Sequence, residues 1–115
     1  KAAQMMMEMG AKSVVIKGGH LTGEEAADVL FDGKSFLTFV SPRIDTKNTH
    51  GTGCTFSSAI AANLANGMAR AEAVKAAKRY ITGAIAHALP IGHGHGPTHH
   101  FYSLYKKGGF EGMTR

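Results

Sequence analysis

Hydrophobic and polar positions along the first part of the chain predict a helix and then a strand. Residues 1–9 are good helix formers, and Gly10 is suited to end that helix. Residues 13–17 are a short β-branched run, which is typical of a buried strand in a parallel sheet. Residues 21–27 are predicted to form a loop.

The next apolar runs predict a β-hairpin within residues 28–40. Asp32 and Gly33 separate the two runs, and an Asp-Gly pair is a strong signal for a tight turn between antiparallel strands. Pro42 ends the second strand, because proline lacks the N–H group that a strand interior needs.

The second part of the chain predicts helices. Residues 54–66 carry apolar groups on one face and predict a helix that ends before Gly67. Residues 70–89 carry a longer apolar stripe and predict a second helix that ends at Pro90. Residues 101–107 predict a last short helix. The apolar positions are Phe56, Ile60 and Leu64 in the first helix and Val74, Ala77, Ile81, Ala84, Ile85 and Ala88 in the second, where Lys75, Lys78 and Arg79 are predicted to face solvent.

Composition narrows the class of protein. With 115 residues, 43% hydrophobic content and 18% charged content, the sequence predicts one folded domain over residues 1–115. The net charge of +5 suits anionic small molecules, but the basic residues are scattered, so a nucleic acid is not an expected partner. No apolar run is long enough to cross a bilayer, so a membrane is not an expected partner either. A lone cysteine fits a reducing, cytoplasmic compartment.

Residues 46–58, TKNTHGTGCTFSS, hold the strongest candidate chemistry. Gly51 and Gly53 flank one threonine just before a predicted helix, and the N–H groups of Gly51, Thr52, Gly53 and Cys54 are available to form an anion pocket. A thiol at a helix start favours its thiolate form and could accept a proton from a substrate hydroxyl. The alternative is an ordinary turn with a buried cysteine.

Two other stretches carry weaker candidates. Lys17 ends the predicted strand before Gly18 and Gly19, where it either faces a phosphate or is simply solvated. Residues 90–100, PIGHGHGPTHH, are predicted to form a loop that covers a ligand, with a solvated loop and a metal site as alternatives. The candidate metal ligands in this loop are His93, His95, His99 and His100.

Three motifs together resemble a known family. Residues 48–54, NTHGTGC, align without gaps on the Asp-Thr-x-Gly-Ala-Gly-Asp signature of the ribokinase-like kinases. The longer form NTHGTGCTFSSAIAANLANG, the strand-end VIKGGH and the segment GHGHGPTHHF are similar to the branch that phosphorylates hydroxymethylpyrimidine and its phosphate in thiamine biosynthesis. Asn48 and Cys54 replace acidic residues of the wider superfamily, which favours this branch and its pyridoxal-kinase relatives over sugar kinases.

The resemblance implies a fold and a site. It implies a three-layer α/β/α fold, of which this chain is the C-terminal portion with a partial, mostly parallel sheet. It implies Cys54 as the catalytic base, and it implies ATP as cosubstrate with Mg²⁺ bridging the phosphates and no metal held by the protein itself. The implied anion hole is Gly51, Thr52, Gly53 and Cys54, and the residues implied beside the nucleotide are Lys17, Gly18, Gly19 and His20.

The resemblance also implies a reaction and partners. The reaction is ATP-dependent phosphorylation of 4-amino-5-hydroxymethyl-2-methylpyrimidine and then of its monophosphate. The alternatives are a pyridoxal or pyridoxine kinase, or a noncatalytic nucleotide-binding fragment. The family's N-terminal part, which carries the pyrimidine pocket, has no counterpart here, so the chain alone is expected to be inactive, and the implied partners are a second copy or that missing part.

Overall fold

The computed structural model describes residues 1–18 and 23–110, which divide into two compact units. The first unit comprises residues 1–43 and the second begins at Ile44. None of the described helices is both long enough and apolar enough to cross a membrane. The first unit contains α1 (Ala2–Glu8), β1 (Val14–Lys17), β2 (Glu25–Phe31) and β3 (Phe36–Pro42), and the second contains α2 (Thr52–Ala65), α3 (Arg70–Ala86) and α4 (Tyr102–Gly108).

The first unit contains a three-stranded sheet in the order β1-β2-β3. Both neighbouring pairs are antiparallel, so the prediction of a mostly parallel sheet is wrong for the described strands. The physical reason is the length of the connections. Only residues 18–24 join β1 to β2, whereas a parallel pair needs a crossover of about a dozen residues or more. The sheet also includes residues 25–27, so the prediction of a loop over residues 21–27 is wrong for these three residues.

The predicted hairpin is confirmed, with its turn at Asp32 and Gly33. The carboxylate oxygen Oδ1 of Asp32 accepts the backbone N–H groups of Lys34 at 2.9 Å and Ser35 at 2.8 Å. Gly33 adopts a positive φ of 94°, which glycine tolerates without a steric penalty. These two N–H bonds hold the pKa of Asp32 below its ordinary value of 3.8.

A small core holds helix α1 against the sheet. Ala3, Val14 and Phe31 are buried together, with Met7 and Ile16 packed against them. The ring of Phe31 also stacks on the ring of Phe36 across the hairpin, with centroids 4.2 Å apart. Met7 is the methionine of the α1 region that packs against this core, since Met5, Met6 and Met9 are exposed.

The second unit is built on α3. Its buried positions recur at helical spacing and face α2, whose buried contribution is Phe56 at 2% exposure. Burial of Phe56 and Val74 stabilises this pair of helices by roughly 1.5–3 kcal/mol for each side chain. The predicted apolar face of α2 is confirmed in part, because Leu64 is exposed. The buried residues of α3 are Ala73, Val74, Ala77, Lys78, Ile81 and Ala84.

Lys78 on α3 is buried, so the prediction that it faces solvent is wrong. Only 9% of its surface is exposed, because it lies four residues after Val74 and three before Ile81, which puts it on the same face of α3 as these two buried residues. A lysine can bury its aliphatic stem along apolar neighbours, which the helical pattern of charges does not reveal. The predicted last helix is confirmed as α4, and the hydroxyl of Tyr80 on α3 donates to the carbonyl of His100 at 2.8 Å just before it.

Candidate active site

Helix α2 begins at the predicted anion turn, two residues earlier than the sequence pattern indicated. Gly51 is the residue before the first turn and adopts a positive φ of 78°. Its carbonyl accepts the N–H group of Thr55 at 2.9 Å, which closes the first turn of the helix. No side chain caps this helix start. The exposed N–H groups therefore depend on solvent or a ligand.

Thr52 is tied back to the chain before the turn. Its N–H group donates to the carbonyl of Thr49 at 3.2 Å, and its hydroxyl donates to the same oxygen at 2.6 Å. In this arrangement the N–H of Thr52 is already used, although the resemblance places it in the anion hole. Thr52 instead fixes the shape of the turn.

The remaining N–H groups of the turn are open. Within residues 1–18 and 23–110, no acceptor lies within hydrogen-bond distance of the N–H groups of Gly51, Gly53 and Cys54. Gly53 and Cys54 are exposed, and Cys54 is a free thiol. The α2 dipole adds positive potential at this end of the helix. The turn can therefore accept an anion beside a thiol, and the alternative of a turn with a buried cysteine does not hold.

The histidine-rich loop, residues 90–100, lies partly against residues 47–50, which lead into this turn. Backbone bonding places His50 beside Pro97 as an isolated parallel bridge, and the ring nitrogen Nδ1 of His95 donates to the carbonyl of Lys47 at 3.0 Å. Across the described part of the chain, no three His, Cys, Asp or Glu side chains come together in a way that could hold a metal ion.

Two side chains of the same loop are buried with an unpaired polar atom. Thr98 is 2% exposed and His99 is 5% exposed, and neither Oγ1 of Thr98 nor Nε2 of His99 has a hydrogen-bond partner among the described residues. The ring of His99 packs edge-on against the rings of Tyr102 and Tyr105 on α4. His99 therefore packs in the interior against two tyrosine rings. The sequence had offered it as a candidate metal ligand because it is one of four closely spaced histidines.

The predicted nucleotide residues lie at the end of β1 in the first unit. Lys17 is the last, exposed residue of the strand, and Gly18 follows it. A side chain at Gly18 would overlap the carbonyl oxygen of Ala27. The N–H of Gly18 donates to Oδ1 of the buried Asp28 at 3.2 Å.

Asp28 was not singled out from the sequence, although an acidic residue in an otherwise apolar strand was a usable signal. The other two predicted nucleotide residues, Gly19 and His20, lie outside the described residues.

Sequence comparison identifies the family of the chain. Residues 1–99 match the Phosphomethylpyrimidine kinase family. The chain belongs to this family. It is 51% identical over 108 residues to the hydroxymethylpyrimidine/phosphomethylpyrimidine kinase of Rhizobium meliloti, covering 92% of this chain and 41% of that protein. It is 57% identical over 100 residues to the thiamine biosynthesis bifunctional protein ThiED of Geobacter sulfurreducens, covering 87% of this chain and 20% of that protein.

Solved structures of this group share the fold. The ADP complex of Bacillus subtilis pyridoxal kinase superposes with a TM-score of 0.84 at 46% identity, covering 90% of this chain and 39% of that one. Staphylococcus aureus pyridoxal kinase in complex with AMP-PCP gives a TM-score of 0.83 at 36% identity, covering 86% and 37%. The chain therefore folds as a portion of a ribokinase-like kinase and spans about 40% of the length of these relatives.

Proposed function

We propose that the protein carrying this chain is an ATP-dependent kinase of thiamine biosynthesis. It phosphorylates 4-amino-5-hydroxymethyl-2-methylpyrimidine and then the monophosphate. The observation that carries this proposal is the start of α2, where the open N–H groups of Gly53 and Cys54 lie beside an exposed thiol. The membership of the family and the name of the Rhizobium meliloti relative support the same reaction.

The proposed mechanism uses the α2 turn in two ways. The N–H groups of Gly51, Gly53 and Cys54 stabilise the negative charge on the transferred phosphoryl group, with Thr52 fixing their geometry. The Cys54 thiolate accepts the proton of the substrate hydroxyl as the hydroxyl oxygen bonds to the γ-phosphorus of ATP and the bond to ADP breaks. The thiol is exposed at the first turn of α2, so a substrate can reach it.

In this proposal the end of β1 binds the nucleotide. Lys17 is exposed there and supplies positive charge, and Gly18 keeps the backbone free of a side chain. The relatives from Bacillus subtilis and Staphylococcus aureus bind ADP and AMP-PCP respectively, which supports ATP as the phosphoryl donor. Mg²⁺ neutralises phosphate charge when it is bound with ATP. No group of ligands for it is found among the described residues, so no step is assigned to it.

Pyridoxal is the second candidate acceptor, because the solved relatives at 36–46% identity are named pyridoxal kinases. The two acceptors can be separated in a chimaera in which this chain replaces the matching segment of the Rhizobium meliloti kinase. We expect hydroxymethylpyrimidine to outcompete pyridoxal in mixed-substrate assays. A preference for pyridoxal would contradict the assignment of the acceptor. Because the chain covers 41% of that protein, the acceptor pocket of the chimaera belongs largely to the partner sequence, so the same assay is repeated in the protein that carries this chain.

The catalytic role of Cys54 is tested by Cys54→Ala in the same chimaera. We expect kcat to fall by about 10²–10⁴-fold while ATP binding measured by calorimetry is retained, because a general base contributes to the chemical step. Ser58→Ala is the matched control, since Ser58 is also exposed on α2. Equal turnover of the two variants would show that Cys54 is not the base.

The domain organisation, the protein partners and the cellular location of the protein are also proposals. A single domain that includes an N-terminal portion stays a prediction, as do a homodimer or association with that portion as partners. The exposed small side chains of α2 support a further contact on that helix. A cytoplasmic location rests on the lone thiol, and one relative, from Arabidopsis thaliana, is named as chloroplastic.

A further inference from the structure

Residues 47–50, which lead into the α2 turn, are held by residues 95–97 of the histidine-rich loop. Oδ1 of Asn48 accepts the N–H of Gly96 at 3.2 Å, and the N–H of His50 donates to the carbonyl of Gly96 at 3.1 Å. The His95 ring adds a third bond to the Lys47 carbonyl at 3.0 Å. We refer to these contacts between residues 47–50 and 95–97 as the clasp.

The clasp is closely packed around Gly96. Gly96 is buried and Asn48 is 7% exposed, so their hydrogen bond is shielded from water. A β-carbon at position 96 would overlap Oδ1 of Asn48 and would lie 2.9 Å from its Cγ and 3.1 Å from the carbonyl oxygen of Leu89. Any side chain at this position therefore displaces the Asn48 amide group from its present position and disturbs its bond to the Gly96 N–H group.

The clasp is connected to the open N–H groups by a short path. Asn48 is followed by Thr49, whose carbonyl receives both the N–H and the hydroxyl of Thr52. Thr52 is the first residue of α2, and Gly53 and Cys54 come next. A shift of Asn48 is therefore passed through one carbonyl to the N–H groups that the proposed reaction uses.

We propose that Asn48 and Gly96 are positioning residues for the α2 turn: the bond from the Gly96 N–H to Asn48 Oδ1 sets the position of the N–H groups of Gly53 and Cys54 relative to the phosphoryl group. This proposal rests on the proposed kinase function. Neither residue touches the substrate in this role. Their effect is expected in kcat, because misplacement by about 1 Å can cost about 10²-fold in rate.

The test compares four variants in the Rhizobium meliloti chimaera. Asn48→Leu removes the acceptor and keeps the size of the side chain, whereas Asn48→Asp keeps an oxygen at Oδ1. Gly96→Ala introduces the overlap, and Gly94→Ala is its matched control, because an added β-carbon at Gly94 meets no described atom within 4 Å. For each variant, kcat, KM for ATP and amide hydrogen exchange over residues 51–54 are measured below the unfolding temperature.

We expect Gly96→Ala and Asn48→Leu to lower kcat by about 10²-fold with a smaller change in KM, and to speed the amide exchange of Thr52, whose N–H group donates to the carbonyl of Thr49. Gly94→Ala should match the wild type, and Asn48→Asp should lose less activity than Asn48→Leu. A merely structural role predicts lower thermal stability in these variants without the split between kcat and KM or the rescue by aspartate.

The failures of the two proposals are distinguishable. Wild-type chimaera that is folded and binds ATP but does not turn over would overturn the proposed kinase function. If wild-type chimaera is active, Gly96→Ala with the kcat and exchange of Gly94→Ala would overturn the role of the clasp. Faster exchange without a change in kcat would equally show that the clasp does not position the site.

Discussion

The hairpin turn and the start of α2 each contain a glycine with positive φ, but they differ in whether their N–H groups are hydrogen-bonded. At the hairpin turn, Gly33 has a φ of 94°, and Asp32 accepts the N–H groups of Lys34 and Ser35. At the start of α2, Gly51 has a φ of 78°, and no side chain caps the helix. The first turn satisfies its own donors, whereas the second leaves donors exposed.

This difference supports the proposal that the hairpin turn is structural and that the α2 turn binds an anion. A carboxylate inside the hairpin turn plays the part that a bound anion would play at the α2 turn. The α2 turn has no acidic residue in its first turn to take that place, so a phosphate can enter without displacing one. A turn that leaves exposed N–H groups unpaired at a helix start is therefore the better guide to a phosphate site than the glycines alone.

Among the effects that distinguish these two turns, the largest is expected from replacing their glycines by alanine. Gly51→Ala and Gly33→Ala each place an L side chain at positive φ, so each should lower the free energy of unfolding by about 1–2 kcal/mol. Gly51→Ala alone should also lower kcat in the chimaera by about tenfold or more, since it distorts the anion turn. Urea unfolding and steady-state assays measure the two effects. Equal kcat for both variants would contradict the distinction between the turns.

A smaller effect is expected in amide hydrogen exchange on addition of the ATP analogue AMP-PCP. The N–H groups of Gly53 and Cys54 lack an acceptor among the described residues and should become protected when phosphate oxygens accept them. The N–H groups of Lys34 and Ser35 already donate to Asp32 and should keep their exchange rates. Protection at the hairpin turn, or none at α2, would place the phosphates elsewhere.

The smallest effect is the pH dependence of the hairpin turn. The pKa of Asp32 is lowered from 3.8 by the N–H groups of Ser35 and Lys34, so its carboxylate stabilises the folded state above its unfolded pKa. That stabilisation is lost as the pH falls through the folded pKa. Unfolding midpoints of the wild type and Asp32→Ala should therefore differ at about pH 6 and converge as the pH falls below the folded pKa of Asp32. A difference that persists in acid would exclude the carboxylate as its source.

Local signals predicted much of this fold. The pair Asp32 and Gly33 fixes the hairpin within four residues, and Pro42 and Gly67 mark where β3 and α2 stop. The glycines of residues 51–53 indicated the start of α2 within two residues. In each case a few adjacent residues determine the backbone, so the sequence carries the information locally.

Contacts between distant residues were not predictable in the same way. The burial of Lys78 depends on the neighbours of α3, which the spacing of charges along that helix does not reveal. The bond between Asn48 and Gly96 joins positions 48 residues apart, and neither residue type indicates the other. The candidate site was therefore predicted from its turn and stays a prediction, whereas the contacts between residues 47–50 and 95–97 required the structure.

The long sequence separation of the clasp has a consequence for the order of folding. The hairpin closes between residues a few positions apart, so its loss of chain entropy is small and it can form early. Asn48 cannot meet Gly96 until α2 and α3, which lie between them, have been made. During synthesis the N–H groups of the α2 turn leave the ribosome well before the residues that orient them, so we expect the phosphate site to be completed among the last events of folding.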